Sequence, residues 1–519
     1  MVDGSTDGTV DMLRQHRWPF ALNVIEQLNQ GHAAALNTGI GAARGRYCLF
    51  LDDDIVVDPD CLHEHVHAQG EYGGVIAMGR LTCSTPHDAD GLAYFVAEWW
   101  DDRHGDLSRL GREPVATDCI IANTSVPRDV LIAAGGVATD LPRGFDTDLG
   151  ARLQAHELCY VYVPLAVGCQ DYKKGYDDVV TDVINEGTSA WALYLRHPHL
   201  LPHMPLGAYS EGPARALALR SALLLLRVPP SSLQWVGRIV RGTRWNREWY
   251  RCVYGLCYWT GVRRALPSKD VWNRLTRGPV LLMYHAFGGG REPASRYVVP
   301  IRRFRQQLGW LQRRRYTVLS LQELIDMRAR HRLPPSRSVV ITIDDGYVDA
   351  ETLALPELQR AGYPATLFVV TGFAGNRNQW TEEPPLNGRA LADWNGIRKM
   401  AREGMQVAAH SHSHPHLPAV SLHVAEQEIA GSRRDLEGEL LIIVDAFAYP
   451  FGEYSDDVRG LVRQLGFRVA LGVREGPNSA ATPRDALRRI EVRGTDSFLR
   501  FALATRYGYS RPVRRLIRR

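Results

Sequence analysis

A chain of 519 residues, 45% hydrophobic and 23% charged, is longer than one ordinary core supports, so two or three globular domains are expected. Its formal net charge of +5 is mild for that length, and no basic stripe interleaved with aromatics occurs, which excludes a nucleic-acid-binding reading. The eight cysteines all fall between Cys48 and Cys257 without a CxxC pair, and no signal peptide opens the sequence, so a reducing, cytoplasmic setting is the simplest expectation.

In chain order, Val2-Asp3-Gly4-Ser5-Thr6-Asp7 reads as a strand end followed by a polar turn, with a helix over Val10 to His16. Asn29-Gln30-Gly31-His32 then opens an alanine-rich helix through Asn37 to Ala43. Arg46 to Leu51 reads as a strand that runs into Asp52-Asp53-Asp54, and Pro59 opens another helix. Strand-end carboxylates hold Mg²⁺ or Mn²⁺ well, and such a cation neutralises a diphosphate. Further on, Arg143-Gly144-Phe145-Asp146-Thr147-Asp148 has the acidic character of a helix N-terminus.

These three stretches, Asp3 to Asp7, Asn29 to Asn37 and Asp52 to Asp54, resemble in order the motifs of family 2 glycosyltransferases of the GT-A fold. The resemblance implies a nucleotide sugar as donor, with Asp3 toward the nucleobase or ribose and Asp52 and Asp54 on the cation. It also implies that Asp146 deprotonates the acceptor hydroxyl, although Phe145 stands where the family has Glu. A GT-A domain starts with a strand and helix that form half the nucleotide pocket, whereas this sequence starts at what reads as the second strand. The expectation is therefore a partial GT-A (Rossmann-like) domain over residues 1–200 with its first strand and helix missing, leaving transfer activity open.

Residues 201–270 read as a helical connector punctuated by Pro202, Pro205, Pro229 and Pro230. Its apolar stretch, Ala214 to Val228, is interrupted by Arg220 and Arg227. That pattern is not a membrane span; a buried or amphipathic helix is the preferred reading and a seat on a membrane surface the lesser alternative.

The last region, residues 271–510, alternates strands with helices, as a parallel α/β barrel or sheet does. Strands are expected at Val280–Tyr284, Val339–Ile343, Ala365–Val370, Met405–Ala409, Ile442–Phe447 and Phe467–Leu471, and a helix over Ser421–Leu436 with Ser421 as N-cap. His285, Asp344, Asp345, His410 and Tyr449 all fall at or just beyond strand C-terminal ends, where α/β folds keep their chemistry. One Asp and two His form a common divalent-metal set, and the i, i+4 spacing of His410 and His414 suits one helical turn.

Thr342 to Gly346, His410-Ser411-x-x-His414-Pro415, and Phe447 to Gly452 resemble the first three motifs of the polysaccharide deacetylases (NodB homology, carbohydrate esterase family 4). The resemblance implies a distorted (β/α) barrel of NodB type that removes N-acetyl or O-acetyl groups from a poly- or oligosaccharide. Asp345, His410 and His414 would hold Zn²⁺ or another divalent transition metal. Asp344 would be the general base, and the Tyr449 backbone N–H the oxyanion donor. Ala448 stands where many members have the arginine that orients the base, and Arg489 is a replacement. No histidine follows His423, so the family's late acid histidine is missing and His285 is the substitute proton donor. His412 and His416 are expected bystanders. The basic tail 511–519 reads as solvated, with peripheral contact at the inner membrane face as the alternative. The rival readings are a deacetylase with a non-catalytic transferase remnant, and a saccharide-binding pseudoenzyme.

Overall fold

The structure, a computed structural model, describes residues 1–85, 90–110, 113–241, 243, 245–289, 295–382 and 384–509. The basic tail therefore lies outside the described residues. The chain divides into two compact units. The first comprises Met1–Leu206 and Pro213–Leu266, so the helices of the expected connector fall within it. The second comprises Gly207–Gly212 and the chain from Pro267 onward. No helix among the described residues is long and apolar enough to cross a membrane.

In the first unit, β1 (Val2–Asp3) and β2 (Glu26–Gln27) form a separate two-stranded parallel sheet. The main sheet contains β3 (Tyr47–Leu51), β4 (Ile55–Val57), β5 (Ile76–Ser84), β6 (Asn123–Pro127) and β7 (Tyr160–Asp171), in the order β3-β6-β5-β7-β4. Only β5 and β7 pair in parallel; the other pairs are antiparallel. The helices Tyr176–Arg196 and Asn246–Ala265 pack closely, because glycines occupy the crossing. A Cβ on Gly187 would lie 2.0 Å from the Tyr258 carbonyl oxygen, and one on Gly261 would lie 2.0 Å from that of Ile184.

The second unit carries β8 (Val280–Tyr284), β9 (Ala286–Gly288), β10 (Val298–Pro300), β11 (Thr317–Leu319), β12 (Ser338–Ile343), β13 (Thr366–Val369), β14 (Gln406–Ala409), β15 (Ala446–Ala448), β16 (Val469–Leu471) and β17 (Arg489–Glu491). β9 and β10 pair apart from the rest. The others form one parallel sheet in the order β16-β15-β14-β13-β12-β8-β17, with β11 beside β12. Leu487, just before β17, bridges in parallel to Leu471 of β16, so the sheet curls into a nearly closed barrel.

Successive residues of the central strand serve two cores, as a period of two requires. Val339, Ile341 and Ile343 pack outward with Phe304, Leu358, Ile397 and Ile429 from surrounding helices. Val340 packs inward with Leu281, Phe368, Ala408 and Ala448, closed below by Leu321, Leu324 and Ile325. β8, β12, β13, β15 and β16 are buried at every residue, so they read as largely apolar runs.

One strand differs from expectation. The helix Leu422–Leu440 runs past Leu436, and Leu441 caps it at φ 54. The segment assigned to a strand from Ile442 instead emerges into solvent, with Ile443 82% exposed, and β15 begins only at Ala446. Ser421 is the N-cap expected, accepting the Val424 N–H at 3.3 Å.

Candidate active site

Register brings the second unit's polar residues together. Ile343 pairs with Tyr284 and Val369 with Ala409, so Asp344, His285 and His410 leave the sheet at one level, its C-terminal mouth. Gly346 at φ 86 then turns the chain away, and Asp345 itself is left-handed at φ 74.

Asp345 Oδ1 lies 3.5 Å from His410 Nε2 and 3.6 Å from His414 Nε2. One ligand atom from each of the three residues lies within 4.8 Å of the others. Among the described residues this is the one trio of His, Cys, Asp or Glu so arranged. His410 Nδ1 is 2.8 Å from the Ala448 carbonyl oxygen. A carbonyl only accepts, so Nδ1 carries a proton, and Nε2 faces Asp345 as the nitrogen left to a cation once its own proton is lost. A hard carboxylate and two borderline imidazoles suit a divalent transition metal. The trio therefore fits a cation.

The electrostatics agree. Burial opposes ionisation of Asp345, but the hydrogen bond from His410 and the charge of the neighbouring His285 hold its carboxyl well below the usual range. Burial, and then the neighbouring His410, push His414 down to about 3, so it stays a neutral ligand at ordinary pH. Its Nδ1 is buried without a hydrogen-bond partner among the described residues, as is that of His285.

The two histidines do not share a helical turn. Residues 411–414 are irregular, with Ser411 at φ 65 and His414 at φ 62. Left-handed turns aim both rings at Asp345, at about 1–2 kcal/mol each for a non-glycine residue. The Ser411 hydroxyl accepts the His414 N–H at 2.9 Å and locks the turn. His412 and His416 face elsewhere, on Asp435 at 2.9 Å and Glu453 at 2.8 Å.

Asp344 takes a different partner. Arg489, fully buried inside the barrel, donates to Asp344 Oδ1 at 2.6 Å, and its Nε donates to the Gly472 carbonyl at 3.0 Å. The arginine absent from position 448 is thus supplied by β17.

Tyr449 requires a correction. Its backbone N–H donates to the Leu471 carbonyl at 3.1 Å, because the β15–β16 ladder extends through it. Its hydroxyl donates to the Asp485 carbonyl at 2.8 Å and its ring is fully buried. It therefore offers no free donor to an oxyanion. Two residues on, Phe451 is left-handed at φ 56, with its ring centroid 4.5 Å from that of His414. No backbone acceptor takes its N–H among the described residues. The sequence signal for it was Pro450 followed by Gly452, which marks a tight turn.

In the first unit, Asp52 faces His32 at 3.8 Å, and Gln170 Nε2 donates to Asp54 at 3.1 Å. Burial raises Asp52, opposed by His32 and reinforced by Asp54 and Asp53. Asp146, at the start of the helix Phe145–Ala155, feels Asp52's charge; burial is the larger cause that holds it above the ordinary carboxylate range. Asp148 is by contrast tied to Arg152 at 2.9 Å and His197 at 3.0 Å. Asp3 accepts from Gln27 Nε2 at 2.7 Å and from the Gln30 and Gly31 N–H groups at 2.9 and 2.8 Å, which anchors the turn into the helix His32–Ala42. Sequence reading missed Glu186, a carboxylate that burial pushes up to about 7, with Tyr254 Oη donating to it at 2.9 Å.

Residues 331–470 match the family model described as polysaccharide deacetylase, and residues 1–133 that of glycosyl transferase family 2. YxkH of Bacillus subtilis, whose name places it among polysaccharide deacetylases, is 26% identical over 233 residues, 44% of this chain and 78% of that protein. Poly-beta-1,6-N-acetyl-D-glucosamine N-deacetylase of Staphylococcus aureus is 22% identical over 221 residues, 41% of this chain and 72% of its own. Among solved structures, the Streptococcus pyogenes deacetylase PplD aligns with TM-score 0.38 and 27% identity, covering 44% of this chain and 98% of that one. IcaB from Ammonifex degensii aligns with TM-score 0.39 and 24% identity, covering 44% and 96%. The chain thus matches the glycosyl transferase family 2 model at its start and the polysaccharide deacetylase model within its second unit.

Proposed function

We propose that the second unit removes N-acetyl groups from a polysaccharide of N-acetylated hexosamine, the substrate class named for the S. aureus relative. The observation that carries this is the pair of adjacent carboxylates with separate partners: Asp345 on His410 and His414, Asp344 on Arg489. A divalent cation held by Asp345, His410 and His414, with zinc first in preference, would polarise the acyl carbonyl and acidify a water. Asp344 takes that water's proton, and Arg489, donating to it at 2.6 Å, fixes its rotamer. The Phe451 N–H faces the developing oxyanion in place of Tyr449. His285, with its unpartnered Nδ1, returns a proton to the leaving amine.

We further propose that the first unit transfers a sugar from a nucleotide donor. The support is that Asp52 lies close enough for its charge to act on Asp146. A Mg²⁺ or Mn²⁺ there would rest on Asp52, Asp54 and the donor's own phosphates. Asp146, raised by burial, suits proton removal from an acceptor hydroxyl.

The test of deacetylation pairs metal content with acetate release from an N-acetylated oligosaccharide. His410→Ala and His414→Ala should lose both together, and His412→Ala should retain both. Metal lost in His412→Ala, or retained in the other two, would sink the ligand assignment.

A further inference from the structure

The helix Ala214–Leu226 in the first unit is inside-out. Its one mid-helix arginine, Arg220, is buried, while Ala218, Leu219, Ala222, Leu225 and Leu226 form an exposed face at three- and four-residue spacing. Leu225 is 80% exposed and Leu226 73%. A surface helix of a globular protein shows the reverse pattern. The next helix, Gln234–Val240, repeats the arrangement, with Trp235 62% and Ile239 67% exposed.

Positive charge surrounds this apolar surface. From Pro213 to Leu266 the sequence has ten arginines and a single acidic residue, Glu248. A cavity of about 460 Å³ opens where the helix Ala214–Leu226 ends. Arg227, Arg263 and Arg264 line it beside Ile184, Leu224 and Leu256. Arg263 is held at the helix end by donating to the Leu224 carbonyl at 2.9 Å. No carboxylate pairs with Arg227 or Arg264 among the described residues.

We infer that this face docks on an anionic phospholipid bilayer. Leu225 and Leu226 enter the acyl boundary, and Arg227, Arg263 and Arg264 receive lipid phosphates at the cavity mouth. Charge complementarity selects this occupant. A second copy would bring Arg227, Arg263 and Arg264 against the same three arginines, and nucleic acid would leave the leucines in water. A helix of 13 residues with its apolar side outward lies in an interface and does not cross it. Such a seat would hold the first unit at a lipid surface.

The test is flotation of the full chain with vesicles of phosphatidylcholine containing phosphatidylglycerol, against vesicles of phosphatidylcholine alone. The chain should partition onto the anionic vesicles and only weakly onto the neutral ones. The double variant Leu225→Ser with Leu226→Ser should lower that partition about tenfold. Arg227→Gln with Arg264→Gln should lower it about 25-fold, about fivefold for each arginine. All four side chains are exposed, so circular dichroism and acetate release should be unchanged. Four outcomes overturn the inference: no partition of the wild-type chain, equal partition onto neutral vesicles, partition that survives both double variants, or self-association in the absence of lipid that the leucine variant abolishes.

Discussion

Asp344 and Asp345 are neighbours in sequence with opposite assignments in space. One closes an ion pair with Arg489 inside the barrel; the other turns left-handed to meet two imidazoles. Asp344→Asn should therefore keep bound metal while turnover falls by about 10²–10⁴, since an amide cannot accept the water's proton. Asp345→Asn should lose metal first. Equal metal loss in the two variants, read by elemental analysis, would contradict the division. Glu186 supports a pH prediction in the other unit. Folding raises its pKa from 4.5 to about 7, chiefly through burial, so the fold binds the proton more tightly than the unfolded chain. Its contribution thus favours the fold below about pH 4.5 and is lost as pH rises to about 7, an effect of about 3 kcal/mol. Glu186→Gln should stabilise the first unit at pH 8 but not at pH 4; an unchanged pH profile of thermal unfolding would refute the burial argument.

At the scale of elements, two glycines decide how closely the helices Tyr176–Arg196 and Asn246–Ala265 approach. Alanine is the better helix former by about 1 kcal/mol, so propensity alone predicts that Gly187→Ala and Gly261→Ala stabilise. The contact predicts the opposite, because each new Cβ would meet a backbone carbonyl oxygen at 2.0 Å, and a helix backbone cannot shift as a side chain does. Either variant should cost the first unit about 3 kcal/mol in denaturant unfolding. Both should also disturb the Glu186–Tyr254 contact, since those residues sit on the same two helices. A stabilised variant would mean the helices can separate at little cost.

The whole molecule consists of two units with separate cores, so calorimetry of the full chain should show two transitions. Added zinc should raise only the transition of the second unit, by about 2.7 kcal/mol at a hundredfold excess over Kd, and a chelator should reverse it. Mn²⁺ with a uridine-type nucleotide sugar should raise only the other. Asp52→Ala with Asp54→Ala should abolish that second response. A single transition, or both responding to zinc, would contradict separate sites.

Much of this protein was legible before any coordinates. The apolar run Val339 to Ile343 ending in two carboxylates, and the run up to Ala409 ending in His410, placed the metal set at strand ends, because buried parallel strands are continuous apolar runs. The structure leaves His412 out of that set because its ring pairs with Asp435 at 2.9 Å, and not through the helical spacing expected of it. What tertiary structure alone decided lies in long-range pairing and in dihedrals. Nothing local to Arg489 says that its guanidinium crosses the barrel to Asp344, 145 positions earlier; closure of the sheet brings them to 2.6 Å. Nothing local to Tyr449 says that its N–H is taken by Leu471, because that depends on how far the ladder with β16 extends. The left-handed turns at Ser411, His414 and Phe451 are paid for by the packing around them, and residue type alone does not announce them. The exposed leucines of Ala214–Leu226 make the same point, since apolar spacing marks a helix face but not which side of it meets solvent.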